Sequence, residues 1–317
     1  MSNVVGLMGL VGLLACKQAP PPAPPPPPPA PPEHVVQPPE AQPAELPAPI
    51  VIAEVGFETP EAILHDMAAD HYLVANIKGD PLAKDDDAFI SIVSTDGQVK
   101  QLKFIDSASP KVKLNAPKGM GILHGTLYVA DIDTVRMFDP ASGEPKGEIK
   151  VKGATFLNGL AVMGDTIYVT DTGMKAGFKP SGTDAVIAIK GGKAKPVVKS
   201  KDLAGPNGLA AHGDMLWVVN FGGKTLQMVK ADGSLTNAME LPAGQLDGVV
   251  IMRDGSFVVS SWEANAVFRG KGGNFAPIIK DVEAPASIGV DIQRSRVLIP
   301  LFKKNVVEIH TVPLRLG

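Results

Sequence analysis

The chain has 317 residues, of which 30 are Lys or Arg and 33 are Asp or Glu, and its net charge is −3 at pH 7. This balance provides no broad positive surface for phosphate groups and argues against nucleic acid as a partner. Cys16 is the single cysteine, which excludes an internal disulfide, a thiolate zinc cluster and a CxxC redox pair.

The first fifteen residues have the pattern of a signal peptide. An apolar run from Val4 to Ala15, interrupted only by glycine, is too short to cross a hydrocarbon layer of about 30 Å. Leu13-Leu14-Ala15-Cys16 resembles the bacterial lipobox, in which the cysteine is lipidated and becomes the new N-terminus. We therefore predict a signal peptide over residues 1–15 and lipidation at Cys16. An ordinary signal peptide remains the alternative, because Met1-Ser2-Asn3 carries no basic residue.

Residues 16–49 are predicted to form a lipid-anchored, disordered linker. Proline dominates from Pro20 to Pro49, and the run from Pro24 to Pro29 favours polyproline II because proline cannot donate ladder hydrogen bonds. At ~3.1 Å per residue, such a segment could hold a domain several tens of ångströms from a membrane. The expected location is the cell envelope, on the periplasmic side of a bacterial membrane or at the cell surface, with the membrane as a partner through Cys16.

Residues 50–317 contain a repeat that predicts an all-β, six-bladed β-propeller. Three copies align without gaps on a glycine that lies nine residues before an aromatic residue. They begin at Lys118-Gly119, Asn158-Gly159 and Asn207-Gly208, and looser copies begin at Glu61-Ala62, Asp247-Gly248 and Ile288-Gly289. Steps of 40 to 57 residues with strand-like patterning are typical of propeller blades.

The N-terminal segment is predicted to close the ring. Pro49-Ile50-Val51 has the same pattern as two segments that precede later repeats, Pro196-Val197-Val198 and Pro277-Ile278-Ile279. The last repeat has no corresponding segment after its third strand. A strand near residue 50 would complete that blade and cover its exposed edge.

One face of the disc is expected to carry the functional site. In an antiparallel blade, the start of the innermost strand and the end of the second strand emerge on the same face. This face also receives the two longest insertions, Lys78–Asp87 and Gly173–Thr183. We assigned to its central ring Glu61, Lys118, Asn158, Asn207, Asp247 and Ser287. Lys118, Asn158 and Ser287 are the candidate substrate-binding residues, and Trp262 is a further residue that could face a ligand.

Three of the repeat openings resemble a known family. Pro60-Glu61-Ala62-Ile63, Asn207-Gly208-Leu209 and Asp247-Gly248-Val249 are similar to those of the six-bladed senescence-marker/gluconolactonase/regucalcin family and, more broadly, of NHL-type propellers. The similarity spans roughly residues 50–312.

The resemblance implies one divalent metal ion, held by Glu61, Asn207 and Asp247, with Asn158 lining the substrate. In the lactonases of the family, the residue that matches Asp247 also serves as the catalytic base. Oxygen ligands of this kind suit Ca²⁺, Mg²⁺ or Mn²⁺ better than Zn²⁺. The sequence departs from the animal enzymes at Phe156, where they carry an arginine that holds substrate.

The sequence therefore leaves three functions open. The first is a membrane-tethered extracytoplasmic propeller that binds a small-molecule or protein ligand through its top face and channel mouth. The alternative is a divalent-metal-dependent lactonase or ester hydrolase, and a third reading is an assembly scaffold of the envelope. Serine hydrolase, P-loop and zincin motifs are absent from the sequence.

Overall fold

In the computed structural model, residues 46–315 and positions 21, 22 and 24 are described. The predicted signal peptide, Cys16 and most of the predicted linker lie outside the described residues. In the part that is described, no helix has the length and apolar character that a bilayer-spanning segment needs.

Residues 50–311 form six four-stranded antiparallel sheets arranged as propeller blades, which confirms the predicted fold. Strand β1 is Ile50–Ile52 and belongs to the last blade. Blade 1 consists of β2 (Pro60–Asp66), β3 (His71–Asn76), β4 (Phe89–Ser94) and β5 (Val99–Asp106). Blade 2 consists of β6 (Pro117–Leu123), β7 (Thr126–Asp131), β8 (Thr134–Phe138) and β9 (Pro145–Lys150).

Blade 3 contains an additional hairpin. The four strands of the blade are β10 (Leu157–Met163), β11 (Thr166–Asp171), β14 (Ala185–Lys190) and β15 (Lys193–Lys199). The additional hairpin lies between β11 and β14 in the sequence and consists of β12 (Met174–Lys175) and β13 (Lys179–Pro180). A 3₁₀ turn (Lys201–Leu203) leads to blade 4, which consists of β16 (Pro206–His212), β17 (Met215–Asn220), β18 (Thr225–Val229) and β19 (Leu235–Glu240).

The last two blades follow the same plan. Blade 5 consists of β20 (Leu246–Ile251), β21 (Phe257–Ser261), β22 (Ala266–Lys271) and β23 (Asn274–Lys280). Blade 6 consists of β24 (Gly289–Asp291), β25 (Arg296–Leu301), β26 (Val306–Thr311) and β1.

Hydrophobic burial is greatest in the middle of each blade. The second strand β3 has five buried residues out of six, because both of its faces pack against neighbouring blades. The outer strand β9 is almost entirely exposed and carries the sequence PKGEIK. The cores lie between adjacent sheets, and one of them joins Leu73 and Ile90 of blade 1 to Leu127 and Phe138 of blade 2.

The predicted closure by the N-terminal strand is confirmed. Strand β1 pairs antiparallel with β26, with Ile50 opposite Ile309 and Ile52 opposite Val307. Near the axis, the Ser287 amide donates to the Glu61 carbonyl at 2.9 Å, which joins blade 6 to blade 1. The ring is therefore closed at both its outer and its inner edge.

Truncation tests the contribution of this strand. We expect deletion of residues 17–45 to leave the thermal midpoint almost unchanged. Deletion through Gly56 should destabilise the fold by on the order of several kcal/mol, because it uncovers the edge of β26 and removes the buried Ile52. Circular dichroism melts of the two truncations give the comparison, and equal midpoints would contradict this role of β1.

Glycine at the repeat position lets neighbouring inner strands touch backbone to backbone. A Cβ atom added at Gly159 would lie 2.2 Å from the Asn207 carbonyl oxygen. At Gly208 the added atom would lie 2.5 Å from the Asp247 carbonyl oxygen. The glycines therefore set the spacing of the inner strands and, with it, the spacing of the side chains that precede them.

The predicted alignment of the last repeat on Gly289 is wrong. Pro60 pairs with Asn76, the last residue of β3, and Pro285 bridges Leu301, the last residue of β25. Ala286 therefore occupies the position equivalent to Glu61. Ser287 occupies the glycine position and bridges Ala62 directly.

Candidate functional site

A ring of polar side chains closes one end of the central channel. Each is the second residue of an innermost strand, at most 4% exposed, and lines a cavity of about 500 Å³. We call this set the floor ring, and its members are Glu61, Lys118, Asn158, Asn207 and Asp247. Five of the six predicted ring residues thus come together in one cavity. Ser287 does not line it and instead lines a second cavity, with Ala62 and Gly119.

Buried aspartates at the ends of second strands fix the segments that lead into the floor ring. Asp171 accepts hydrogen bonds from the amides of Phe156 at 2.9 Å and Gly173 at 3.1 Å. Asp131 accepts from the Ala116 amide at 2.8 Å. Phe156 and Ala116 each lie two residues before a floor-ring residue, so hydrogen bonds set the approach of the chain to the channel.

The amide of Asn158 has a defined orientation. Thr172 Oγ1 donates to the Pro206 carbonyl at 2.8 Å, so it can only accept from Asn158 Nδ2 at 3.1 Å. The nitrogen of the Asn158 amide therefore faces Thr172, which leaves its oxygen without that partner.

Four buried oxygens of the floor ring have no hydrogen-bond donor among the residues that the structure describes. They are Glu61 Oε2, Asn158 Oδ1, Asn207 Oδ1 and Asp247 Oδ1. Buried polar atoms are almost always paired, and leaving one unpaired costs about 1–3 kcal/mol. At this ring, the missing positive charge or hydrogen-bond donors would have to come from a bound ion, a ligand or water.

Burial makes the two carboxylates difficult to ionise. Desolvation raises the pKa of Glu61 well above its usual value, and the nearby charge of Asp247 raises it further, while Lys118 opposes both effects. Desolvation also raises the pKa of Asp247 to about 7. The nearby Asn207 amide and Trp262 indole favour the ionised form of Asp247, although neither Asp247 Oδ1 nor Trp262 Nε1 has a hydrogen-bond partner among the described residues.

Lys118 is the resident cation of the floor ring. Its Nζ donates to the carbonyls of Pro81 at 3.0 Å and Ala116 at 2.9 Å, and it lies 4.5 Å from the centre of the Phe156 ring. Desolvation lowers the pKa of Lys118 to about 8, against the effect of the Glu61 charge. With all groups ionised, one ammonium and two carboxylates leave one net negative charge for a ligand to neutralise.

A second ring of residues forms the wall of the cavity. Each member directly follows the second strand of a blade, and the six positions are Ile77, Ile132, Thr172, Phe221, Trp262 and Phe302. All except Ile132 line the cavity. We call all six positions the wall ring. The prediction that Trp262 could face a ligand identified one member, and the repeat itself could have identified the others, because they share a position relative to the second strand.

The wall ring is aromatic across blades 4 to 6. The rings of Phe221 and Trp262 are 5.5 Å apart, and those of Trp262 and Phe302 are 5.2 Å apart. Lys303 Nζ lies 5.4 Å from the centre of the Trp262 ring. Both long insertions contribute as well, the first through Pro81 and the second through Phe178.

The floor ring suits a hard divalent cation. Its unpaired atoms are carboxylate and amide oxygens, which are ligands of Ca²⁺, Mg²⁺ and Mn²⁺. In the described part of the chain, no three His, Cys, Asp or Glu side chains form a group that could hold a metal ion. A site here would therefore combine Glu61 and Asp247 with amides, as the family resemblance implies, and it lacks the His and Cys ligands that select zinc.

Solved structures share the fold. A gluconolactonase from Xanthomonas campestris superposes with a TM-score of 0.62 at 18% identity, covering 81% of this chain and 87% of its own. A putative gluconolactonase superposes with a TM-score of 0.63 at 15% identity, covering 85% of this chain and 93% of its own. The protein has the gluconolactonase-type propeller fold.

The same propeller fold also carries different chemistry. A catalytically inactive histidine-to-alanine variant of virginiamycin B lyase from Staphylococcus aureus, solved with quinupristin, superposes with a TM-score of 0.56 at 14% identity, covering 84% of this chain and 99% of its own. No protein-family model and no curated protein matches the chain. At these identities the likeness concerns fold, so function has to be argued from the floor and wall rings.

Proposed function

We propose that this protein is a ligand-binding propeller that holds one divalent cation at the channel mouth and a small molecule in the cavity above it. The observation that carries the proposal is the set of four unpaired, buried oxygens on the floor ring. Glu61, Asn207 and Asp247 would hold the cation, and Asn158 would face the bound molecule. A cavity of about 500 Å³ lies within the usual range for small-molecule sites.

Electrostatics supports a cation in preference to an empty site. Two buried carboxylates near each other repel unless a proton or a cation neutralises them. Lys118 offsets only one of these charges, and two backbone carbonyls and Phe156 already engage its ammonium. A divalent ion would neutralise the remaining charge and also provide a partner for the amide oxygens.

Cation-dependent stability tests the proposal. After treatment with chelator, we expect Ca²⁺, Mg²⁺ or Mn²⁺ to raise the thermal midpoint of the purified full chain, since a ligand at 100 times its Kd stabilises the folded state by about 2.7 kcal/mol. Sodium chloride at matched ionic strength is the control. No shift with any of the three ions at millimolar concentration would contradict the proposal.

Hydrolysis of a lactone or ester is a second candidate function. The observation that favours it is Asp247, a buried carboxylate that lines the cavity and has an oxygen without a hydrogen-bond partner among the described residues, so it could accept a proton from a water molecule there. Asp247 would accept a proton from a water molecule while the oxygen of that water adds to the carbonyl carbon. When the ring C–O bond of the lactone breaks, Asp247 would return the proton to the ring oxygen that is released. A bound divalent cation would polarise that carbonyl.

Turnover separates the two candidates. A panel of simple lactones, followed by acid release with and without cations, should show cation-dependent hydrolysis that Asp247→Asn abolishes if the protein is an enzyme. Ligand binding without turnover supports the binding function alone. We do not propose lyase activity for this protein, because no histidine is found among the described residues that line the cavity.

We also propose that the propeller is tethered to the cell envelope through Cys16. The support comes from Leu13-Leu14-Ala15-Cys16 and the proline-rich segment that follows it. In a bacterium that processes lipoproteins, Cys16→Ser should move the protein from the membrane to the soluble fraction, because the thioether to the lipid can no longer form. If the variant stays in the membrane fraction, the anchor is not at Cys16.

A further inference from the structure

We infer that the cavity takes an apolar ring compound with a single oxygen-bearing head group, and that it discriminates against polyhydroxylated sugar acids and sugar lactones. This inference rests on the proposed function, since the floor ring and its cation would receive the head group. It goes further by naming the chemical class that the rest of the cavity selects.

The surfaces above the floor ring are mainly apolar. Phe221, Trp262 and Phe302 form a continuous arc of rings in contact. The buried ring of Phe156 and the side chain of Ile77 extend the apolar lining toward blades 3 and 1. Flat aromatic surfaces at this spacing favour a ring that can stack on them or meet them edge to face.

Few hydrogen-bonding groups remain for a ligand above the floor, and among the described residues of the wall ring the buried Trp262 Nε1–H is the one donor without a partner. Thr172, the one wall-ring residue with a hydroxyl, already donates to Pro206 and accepts from Asn158. Gln245 and Lys303 line the cavity but are exposed. A sugar acid carries a hydroxyl on nearly every carbon, and each one buried without a partner costs about 1–3 kcal/mol.

The blade 3 hairpin adds an aromatic side chain at the rim. Phe178 lies between β12 and β13, lines the cavity and is 59% exposed, with a left-handed φ of 54°. The base of the hairpin is fixed, because the Ser181 amide donates to the Gly173 carbonyl at 2.7 Å and the Ser181 hydroxyl contacts Thr155 at 2.8 Å. An exposed phenyl group held at the cavity mouth gains burial when an apolar ligand enters.

Binding of two simple monocarboxylates tests the inference. 3-Phenylpropionate and D-gluconate share a head group and differ in the rest of the molecule. We expect isothermal titration calorimetry of the full chain with saturating Ca²⁺ to show 3-phenylpropionate binding at least about tenfold more tightly, a difference of about 1.4 kcal/mol.

Two variants show whether the aromatic rim is responsible. Phe178→Ala should weaken 3-phenylpropionate several-fold and leave gluconate unchanged, and its exposure makes a folding defect easy to exclude by a melt. Met67→Ala is the matched control, because Met67 is 63% exposed and does not line this cavity. It should change neither affinity.

The outcomes separate this inference from the proposed function. If the cations stabilise the protein but gluconate binds as tightly as or more tightly than 3-phenylpropionate, or if neither acid binds, the ligand class is wrong and the cation site stands. If no cation stabilises the protein but 3-phenylpropionate still binds preferentially, the ligand class stands and the cation site fails.

Discussion

Gly159→Ala is expected to destabilise the protein by several kcal/mol, or to prevent it from folding, although it adds only one methyl group. The added Cβ would lie 2.2 Å from the Asn207 carbonyl oxygen and 2.8 Å from the Gly208 Cα atom. Neither is the end of a flexible side chain, so the inner strands of blades 3 and 4 would have to separate. Overpacking of this kind typically costs about 1–3 kcal/mol, and a backbone clash exceeds that range.

Ala62→Gly is the matched control for Gly159→Ala. Ala62 occupies the equivalent position in blade 1, where its methyl group packs into a core cluster. We expect its loss to cost about 1 kcal/mol through added chain freedom and a small packing defect. Urea unfolding of both variants gives their free energies of unfolding. If Gly159→Ala has the same free energy of unfolding as the wild type, the ring does not depend on this close approach.

Asp247→Asn is expected to have opposite effects with and without cations. In chelator, the variant should be more stable than the wild type at pH 8, because it removes a buried charge. In Ca²⁺ or Mn²⁺, it should no longer gain stability, because the floor ring has lost a ligand charge. The difference in chelator should be on the order of a few kcal/mol, since the pKa of Asp247 is raised from 3.8 to about 7.

The sign of the pH dependence follows from that shift. Below about pH 4, Asp247 is protonated in both the folded and the unfolded chain, so it carries no ionisation penalty. Between about pH 4 and pH 7, the unfolded chain loses the proton first, so the contribution of Asp247 to stability falls as pH rises and then levels off. In Asp247→Asn this part of the pH profile should become shallower, and the remainder should come from Glu61, whose pKa burial also raises.

Asp214→Asn makes the same change of charge at an exposed position in the turn that joins β16 to β17, so it controls for net charge. It should alter neither the pH profile nor the cation response. Melts from pH 4 to pH 8, with and without cations, provide both measurements. A loss of stability for Asp247→Asn in chelator would mean that the carboxylate is already neutralised within the protein.

Much of the fold could be predicted from the sequence because the repeat has a local physical basis. In blades 2 to 5, the glycine at the start of the inner strand is required by close backbone contact, and the aromatic residue nine positions later lies on the second strand. The last blade was misaligned because its glycine position holds Ser287, while Gly289 lies two residues further on. Ala62 and Ser287 show that small residues other than glycine also occupy this position, and the spacing of glycines alone does not reveal them.

The site was predicted in part for a similar reason. Repeat symmetry placed Glu61, Asn207 and Asp247 on one ring, but it could not show which side chains have their hydrogen-bonding groups satisfied. Trp217 and Trp262 illustrate the difficulty, since both follow strand-like sequence. Trp217 packs against Phe257 in a core, with ring centres 4.8 Å apart, whereas Trp262 lies one residue past β21 and faces the cavity. Trp217 lies within β17, so a position inside the strand gives a core side chain here, whereas the position just past the end of β21 gives a side chain that lines the cavity.

A crystal of the full chain grown with Mn²⁺ tests the cation site most directly. We expect an anomalous difference peak at the channel mouth, coordinated by oxygens of Glu61, Asn207 and Asp247, with Asn158 beside it. Crystals of Asp247→Asn, grown under the same conditions, should lack that peak. A wild-type map without a peak among these residues, or with density that places the Lys118 ammonium between the two carboxylates, would contradict the cation site.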